Sequence, residues 1–102
     1  MVFWLCGLSG AGKTTLANNT CKLLLEKGFL CSVLDGDELR KGLNKNLGFS
    51  EEDRLENMRR TAETARILAT AGVTSIVSLI SPLKNGREMA GEIIGGARFK
   101  EI

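Results

Sequence analysis

Histidine is absent from this chain of 102 residues. Zinc sites built on imidazole, and Ser-His or Cys-His catalysis, therefore lack their usual parts. The three cysteines, Cys6, Cys21 and Cys31, are odd in number and none forms a Cys-x-x-Cys. A disulfide framework is not indicated, and free, mostly buried thiols in a reducing compartment are expected, hence a cytoplasmic location. No apolar run approaches the ~20 residues of a membrane span. The chain opens directly on Val2-Phe3-Trp4-Leu5-Cys6 with no basic lead and no cleavage site, so its start does not read as a signal peptide. Charge of one sign is lacking too: 14 Lys+Arg against 12 Asp+Glu leave a net charge of +2. A general polyanion binder is not suggested, no nucleic-acid or membrane partner is expected, and any anion site must be local. Repeats, low-complexity segments and internal linkers are missing as well. What remains, 43% hydrophobic and 25% charged residues, is the balance of one globular domain with a small core, residues 1–102.

The apolar runs alternate with helical patterns. Val2 to Cys6 reads as a buried strand ending at a glycine. Lys13 to Lys27 places Ala17, Cys21 and Leu24 on one helical face, and Gly28 is a natural stop. Phe29 to Leu34 is a second strand closed by Asp35-Gly36-Asp37, and Glu38 to Gly48 is a short helix and a loop. Ser50 then caps a helix, with Asp53 at the reciprocal position of a capping box. Leu55, Met58, Ala62, Ala65 and Ala69 form its apolar stripe, with Arg54, Asn57 and Thr61 on a face beside it. Gly72 ends that helix. Val73 to Ile80 is β-branched and predicts a central strand covered on both faces. Arg87 to Ile94 predicts a last helix, and Arg98 to Ile102 the start of a fourth strand. The order β-α-β-α-β-α-β argues for a three-layer α/β/α fold on a parallel sheet.

Gly7-Leu8-Ser9-Gly10-Ala11-Gly12-Lys13-Thr14 fits G-x-x-x-x-G-K-[ST] at every fixed position. The glycines let backbone N–H groups converge on a phosphate chain, and the helix that follows adds its positive end. Lys13 reaches the β- and γ-phosphates and the Thr14 hydroxyl holds Mg²⁺. The motif lies between a predicted strand and a predicted helix, the context it requires. Gly7, Ser9, Gly10, Ala11, Gly12, Lys13, Thr14 and Thr15 are thus the expected ATP-binding residues.

A GTPase would carry Asp-x-x-Gly and Asn-Lys-x-Asp, and neither is present. Asp35-Gly36-Asp37 instead follows strand two at the carboxyl edge of the sheet, where ligands bind in open α/β sheets. Two carboxylates one residue apart suit a magnesium partner and a general base for a hydroxyl acceptor. An acidic turn would have the same sequence.

Gly7 to Thr15 (GLSGAGKTT), Leu34 to Arg40 (LDGDELR), Gly42 to Ser50 (GLNKNLGFS), Asp53 to Arg60 (DRLENMRR) and Ile80 to Pro82 (ISP) together resemble the adenylylsulfate kinase family, over nearly the whole chain. The resemblance implies a P-loop kinase that transfers the γ-phosphoryl of ATP to the 3′-hydroxyl of adenosine 5′-phosphosulfate, with Mg²⁺. It implies catalytic roles for Asp37, as general base, Lys13 and Ser81. Glu38, Leu39, Arg40, Phe49, Arg54, Asn57, Ile80 and Ser81 are the implied substrate-binding residues besides Asp37. Of these, Arg40 and Arg54 meet the phosphosulfate end, two planar guanidiniums for an oxyanion-rich group, and Phe49 stacks on the adenine. Ser81 corresponds to a serine placed in the family as a phosphoserine intermediate; in-line transfer between two positioned substrates needs no covalent step, which favours a pocket hydroxyl. Read alone, a phenylalanine in such a loop is more often a core plug than a base platform.

Glu38 stands where the family usually has Asn, and Gly86 and Gly91 replace polar residues, which predicts a weakened last helix and a looser far wall. Family domains are about twice this size by the usual scale of such folds. The resemblance therefore implies that the fold is truncated after the start of strand four, without a fifth strand, a basic lid or an adenine-reading loop, and that the chain alone binds nucleotide weakly and turns over poorly. A homodimer, or fusion to or association with sulfate adenylyltransferase in a longer chain, is the implied assembly. The alternatives are a kinase of another small hydroxylated molecule on the same fold and a non-catalytic nucleotide-binding module.

Overall fold

The protein is described by a computed structural model over residues 1–5, 11–79 and 84–102. Strands and helices follow in the order β1 (Val2–Leu5), α1 (Ala11–Glu26), β2 (Cys31–Asp35), α2 (Gly36–Arg40), α3 (Glu51–Thr70), β3 (Thr74–Ser78), α4 (Lys84–Ile94) and β4 (Phe99–Glu101). The sheet is wholly parallel in the order β2-β3-β1-β4. Its carboxyl edge is aligned by register: Leu5 of β1 pairs with Ser78 of β3, which pairs in turn with Asp35 of β2.

Both faces of the sheet are covered, which is why β3 reads as a continuous apolar and small run. One face packs Leu5 and Ile76 under Ala17 and Cys21 of α1, with Phe3, Cys31 and Val33 at the margin. The other packs Val2, Trp4, Leu34, Val77 and Leu79 under Met58, Ala62 and Ala65 of α3 and Ala90 and Ile94 of α4. Successive strand residues point to opposite faces, so Ile76 serves the α1 layer and Val77 the α3/α4 layer. This is the expected three-layer α/β/α arrangement.

Glycines end the helices as expected. Gly28 has φ +89° and Gly72 has φ +87°, left-handed values that a side chain disfavours. The Phe29 N–H donates back to the Leu24 carbonyl at 2.9 Å, and the Val73 N–H to that of Leu68 at 2.9 Å. This corrects the expected start of strand two. The Phe29 amide belongs to the α1 end rather than to a ladder, so pairing starts at Cys31 and Phe29 and Leu30 lie exposed.

Two more expectations are corrected. Ser50 caps α3, its Oγ accepting the Asp53 N–H at 3.1 Å, but the Asp53 carboxylate does not return to Ser50. It accepts the Gly48 N–H at 2.8 Å instead, tying the preceding loop to the helix. Gly86 and Gly91 do not loosen the far wall. A Cβ on Gly86 would stand 2.5 Å from the Met58 sulfur and one on Gly91 3.3 Å from the Phe99 ring. Their smallness lets α4 close onto α3 and β4, which offsets the helix propensity they cost. Cys21 is buried and free as expected, whereas Cys31 is free but only half-buried; Cys6 lies outside the described residues. Burial, with the Cys21 thiol beside it, pushes the Cys31 thiol up to about 12. That makes it a poor nucleophile.

Candidate active site

One end of the candidate site is built where α1 starts above the carboxyl edge of the sheet. Ala11 is the first residue of α1, and Gly12, Lys13, Thr14 and Thr15 complete its opening turn. Gly7, Ser9 and Gly10 lie outside the described residues, as do Ile80 and Ser81 beyond β3. The Lys13 ammonium donates to the Leu79 carbonyl at 2.9 Å, so the side chain runs along the end of β3. The Thr14 hydroxyl donates to Asp35 Oδ1 at 3.2 Å. Asp35 closes β2 and caps α2, its Oδ2 accepting the Glu38 N–H at 3.3 Å. Gly36 permits that turn, because a Cβ there would stand 3.1 Å from Leu79 Cβ. Asp37 is then carried, exposed, in the first turn of α2. Thr15 faces solvent.

The other end is built by the 41–49 loop and α3. Arg40, at the end of α2, donates to the Leu47 and Gly48 carbonyls at 3.0 and 3.2 Å. Its guanidinium lies 4.2 Å from the centre of the Phe49 ring. Arg54 donates to the Phe49 carbonyl at 2.9 Å, with its guanidinium 5.7 Å from the same ring. Phe49 is 69% exposed; it plugs no core and is held by two cations. The structure therefore brings Arg40, Phe49 and Arg54 into one cluster. Glu38 pairs with Lys41 at 3.1 Å on the surface, and that pairing raises the Lys41 pKa. Leu39 packs against the α3-side core.

Asn57 and Thr61, set beside the apolar stripe by the sequence reading, are both buried. Thr61 satisfies its hydroxyl on the Asn57 carbonyl at 2.8 Å. Asn57 Oδ1 accepts from Asn44 Nδ2 at 2.7 Å. Asn44 is 0% exposed, and sequence reasoning missed it. Nothing in Gly-Leu-Asn-Lys-Asn marks that residue as the one turned inward. Arg60 adds a second clamp on the loop, bonding the Leu43 carbonyl at 3.2 Å and Asn46 at 2.8 Å. It also shares Glu56 with Arg59, and the two guanidiniums hold the Glu56 carboxyl down to about 2.

Among the described residues no three His, Cys, Asp or Glu gather as a metal cage, and no helix is long and apolar enough to cross a membrane. The Thr14 hydroxyl and the Asp35 carboxylate are hard oxygen donors in contact. Such a pair fits Mg²⁺, which is commonly bound through one or two protein oxygens together with phosphates and water. A parallel sheet with its lysine, hydroxyl and carboxylates at one edge is the plan of a P-loop kinase.

The particular family follows from comparison with known proteins. The family model described as adenylylsulphate kinase matches residues 1–102, and the chain belongs to that family. It is 47% identical to the adenylyl-sulfate kinase of Bacteroides thetaiotaomicron, over 100% of this chain and 51% of that protein. It is 50% identical to the bifunctional enzyme NodQ of Rhizobium meliloti, over 99% of this chain and 16% of that protein. The fold superposes on the Mycobacterium tuberculosis APS kinase CysC, solved in complex with AMPPNP and APS, with TM-score 0.91 and 45% identity. That match covers 98% of this chain and 58% of the other. The chain thus spans about half the length of the adenylyl-sulfate kinase it matches in B. thetaiotaomicron.

Proposed function

We propose that residues 1–102 form one unit of an adenylylsulfate kinase, binding ATP at the Lys13–Thr14 end and adenosine 5′-phosphosulfate at the Arg40–Phe49–Arg54 end. The observation that carries this reading is the placement of Asp37 on α2, the short helix that has the Asp35–Thr14 contact at its start and Arg40 at its end. A carboxylate carried between a phosphate site and an acceptor site suits a base for the acceptor hydroxyl.

The proposed roles join this geometry, for the described residues, to what the family resemblance implies for the rest. Lys13, bonded to the Leu79 carbonyl, exchanges that acceptor for phosphate oxygens whose charge it neutralises. Thr14 and Asp35 would hold Mg²⁺; when bound, the ion neutralises phosphate charge and orients the chain of phosphates. Asp37 accepts the proton of the attacking 3′-hydroxyl. Phe49 offers its exposed ring to the substrate adenine, while Arg40 and Arg54 neutralise the phosphosulfate. Asn57, locked by Asn44, lends a polar contact to that substrate. Gly7, Ser9, Gly10, Ala11 and Gly12 wrap the ATP phosphates, Thr15 flanks them, and Ile80 and Ser81 line the acceptor pocket, with Ser81 as a hydroxyl contact. Glu38 and Leu39 complete the acceptor wall. A cytoplasmic location suits this chemistry. The word bifunctional in the name of NodQ supports a second activity, such as sulfate adenylyltransferase, sharing a chain or a complex with this unit. Homodimerisation is the other arrangement.

The test supplies the chain with ATP, Mg²⁺ and adenosine 5′-phosphosulfate, alone and joined to whatever sequence adjoins it in its reading frame. Nucleotide binding with 3′-phosphorylated product in the joined form is the expected result. Nucleotide binding with no product in either form supports a non-catalytic module, and transfer to a different hydroxyl acceptor identifies another small-molecule kinase.

A further inference from the structure

Two serines on β3 carry buried hydroxyls with no hydrogen-bond partner, Ser75 and Ser78. They differ in direction. Ser78 shares its face with Ile76, which packs under α1. Ser75 shares the opposite face with Val77, which packs under α3 and α4. An orphaned buried hydroxyl costs free energy, and on the α3/α4 side it meets only the packed core. On the α1 side it lies at the carboxyl edge, where ligands bind.

Ser78 is 2% exposed. Its register partner on β2 is Asp35, and paired residues of adjacent strands point to the same face. Asp35 is the residue that meets the Thr14 hydroxyl at 3.2 Å from the first turn of α1. Three hard oxygen groups, from α1, β2 and β3, are therefore set on one side of one sheet edge. Two of them contact each other, and the third is buried and unused. Mg²⁺ keeps several of its waters when bound, and those waters need acceptors.

We infer that Ser78 is an outer ligand of the divalent cation that accompanies the nucleotide, its Oγ accepting a hydrogen bond from a water the cation carries. This rests on the proposed phosphate site and adds to it a residue outside the phosphate-loop motif and the Asp35-Gly36-Asp37 turn. Ser78 acts through the bound water, so it is a positioning residue. It also gives a reason for a hydroxyl between Val77 and Leu79 at the end of β3.

The test compares Ser78→Ala with Ser75→Ala by NMR titration of the whole chain with ADP, in Mg²⁺ and in chelator, a method that reads millimolar affinities. Both variants remove an orphaned hydroxyl and both are expected to fold with unchanged or raised Tm. Mg²⁺ is expected to tighten ADP binding in the parent and in Ser75→Ala. In Ser78→Ala that gain falls roughly tenfold, the usual scale for a lost outer ligand, while metal-free ADP affinity is unchanged. Replacing Mg²⁺ by Mn²⁺ adds a readout of position. The ion is expected to broaden the amide signals around Thr14, Asp35 and Ser78, at about tenfold higher Mn²⁺ in Ser78→Ala. An equal metal response in the parent and in Ser78→Ala, with ADP still bound, overturns this inference and leaves the phosphate site standing. An equal loss in Ser75→Ala assigns the effect to strand packing and also overturns it. No ADP binding by the parent under either condition removes the phosphate-site reading and this inference together.

Discussion

The Asn44–Asn57 bond tests whether the 41–49 loop, and with it Phe49, is fixed from within. Asn57→Leu leaves Asn44 wholly buried with neither its amide nor its oxygen satisfied. A buried polar group deprived of its partner costs about 1–3 kcal/mol; the Asn44 oxygen has no partner in the parent either, so only the amide is newly stranded and this variant costs about 1–2 kcal/mol. Asn44→Leu strands only Asn57 Oδ1, and it removes the Asn44 Oδ1 that has no partner already. Its cost belongs at the lower end, about 1 kcal/mol by the same scale. Replacing both by leucine removes every unsatisfied atom of the pair, and such double replacements are close to neutral. The double variant should therefore lie about 2–3 kcal/mol above the sum of the singles in stability, within the range of measured coupling between contacting residues. Urea unfolding followed through the buried Trp4, the single tryptophan, reads this directly. For a domain of this size each kcal/mol moves Tm by roughly 4–8 °C. Additive costs within about 0.5 kcal/mol would show that the two amides are not partners, and the account of how the loop is held would fail with them.

Phe49→Ala should leave stability within about 0.5 kcal/mol, as for an exposed side chain, yet weaken adenosine 5′-phosphosulfate binding by about 1–3 kcal/mol, the scale of base–aromatic stacking; calorimetry showing unchanged affinity refutes the stack. In the form joined to its adjoining sequence, Lys13→Ala should slow phosphoryl transfer roughly 10²–10³-fold, and a rate equal to the parent's removes Lys13 from the chemistry. In the same joined form, Asp37→Asn should lower single-turnover transfer roughly 10²–10⁴-fold with a smaller change in binding; the reverse split makes Asp37 a binding residue. Glu56 has its folded pKa depressed to about 2 by Arg59 and Arg60. Its contribution is full above the ordinary carboxylate range and is lost as pH falls toward 2. Glu56→Gln should therefore flatten the acid limb of stability between about pH 4.5 and pH 2, and an unchanged slope in acid titrations argues against the pairing.

Local patterns determined most of the architecture. The helix boundaries follow from Gly28, Gly72 and Ser50, because a left-handed residue or a capping oxygen acts on the backbone a few residues away. Alternation of apolar runs with helical stripes was enough for a parallel α/β sheet, and the lysine and threonine after the glycine-rich segment were enough to mark a candidate phosphate site. Pairings across loops were decided only by the tertiary structure. Asp53 turned from a reciprocal cap to the Gly48 amide, Gly86 and Gly91 became close contacts for Met58 and Phe99, and Phe49 was left outside between two arginines. Asn44 and Ser78 show the same limit in sharper form. Their type and neighbours in the chain say polar surface or strand interior alike. Burial, and the partner each finds or lacks, depends on residues 13, 43 or 73 positions away, such as Asn57, Asp35 and Leu5, which only the folded sheet and its helices bring alongside.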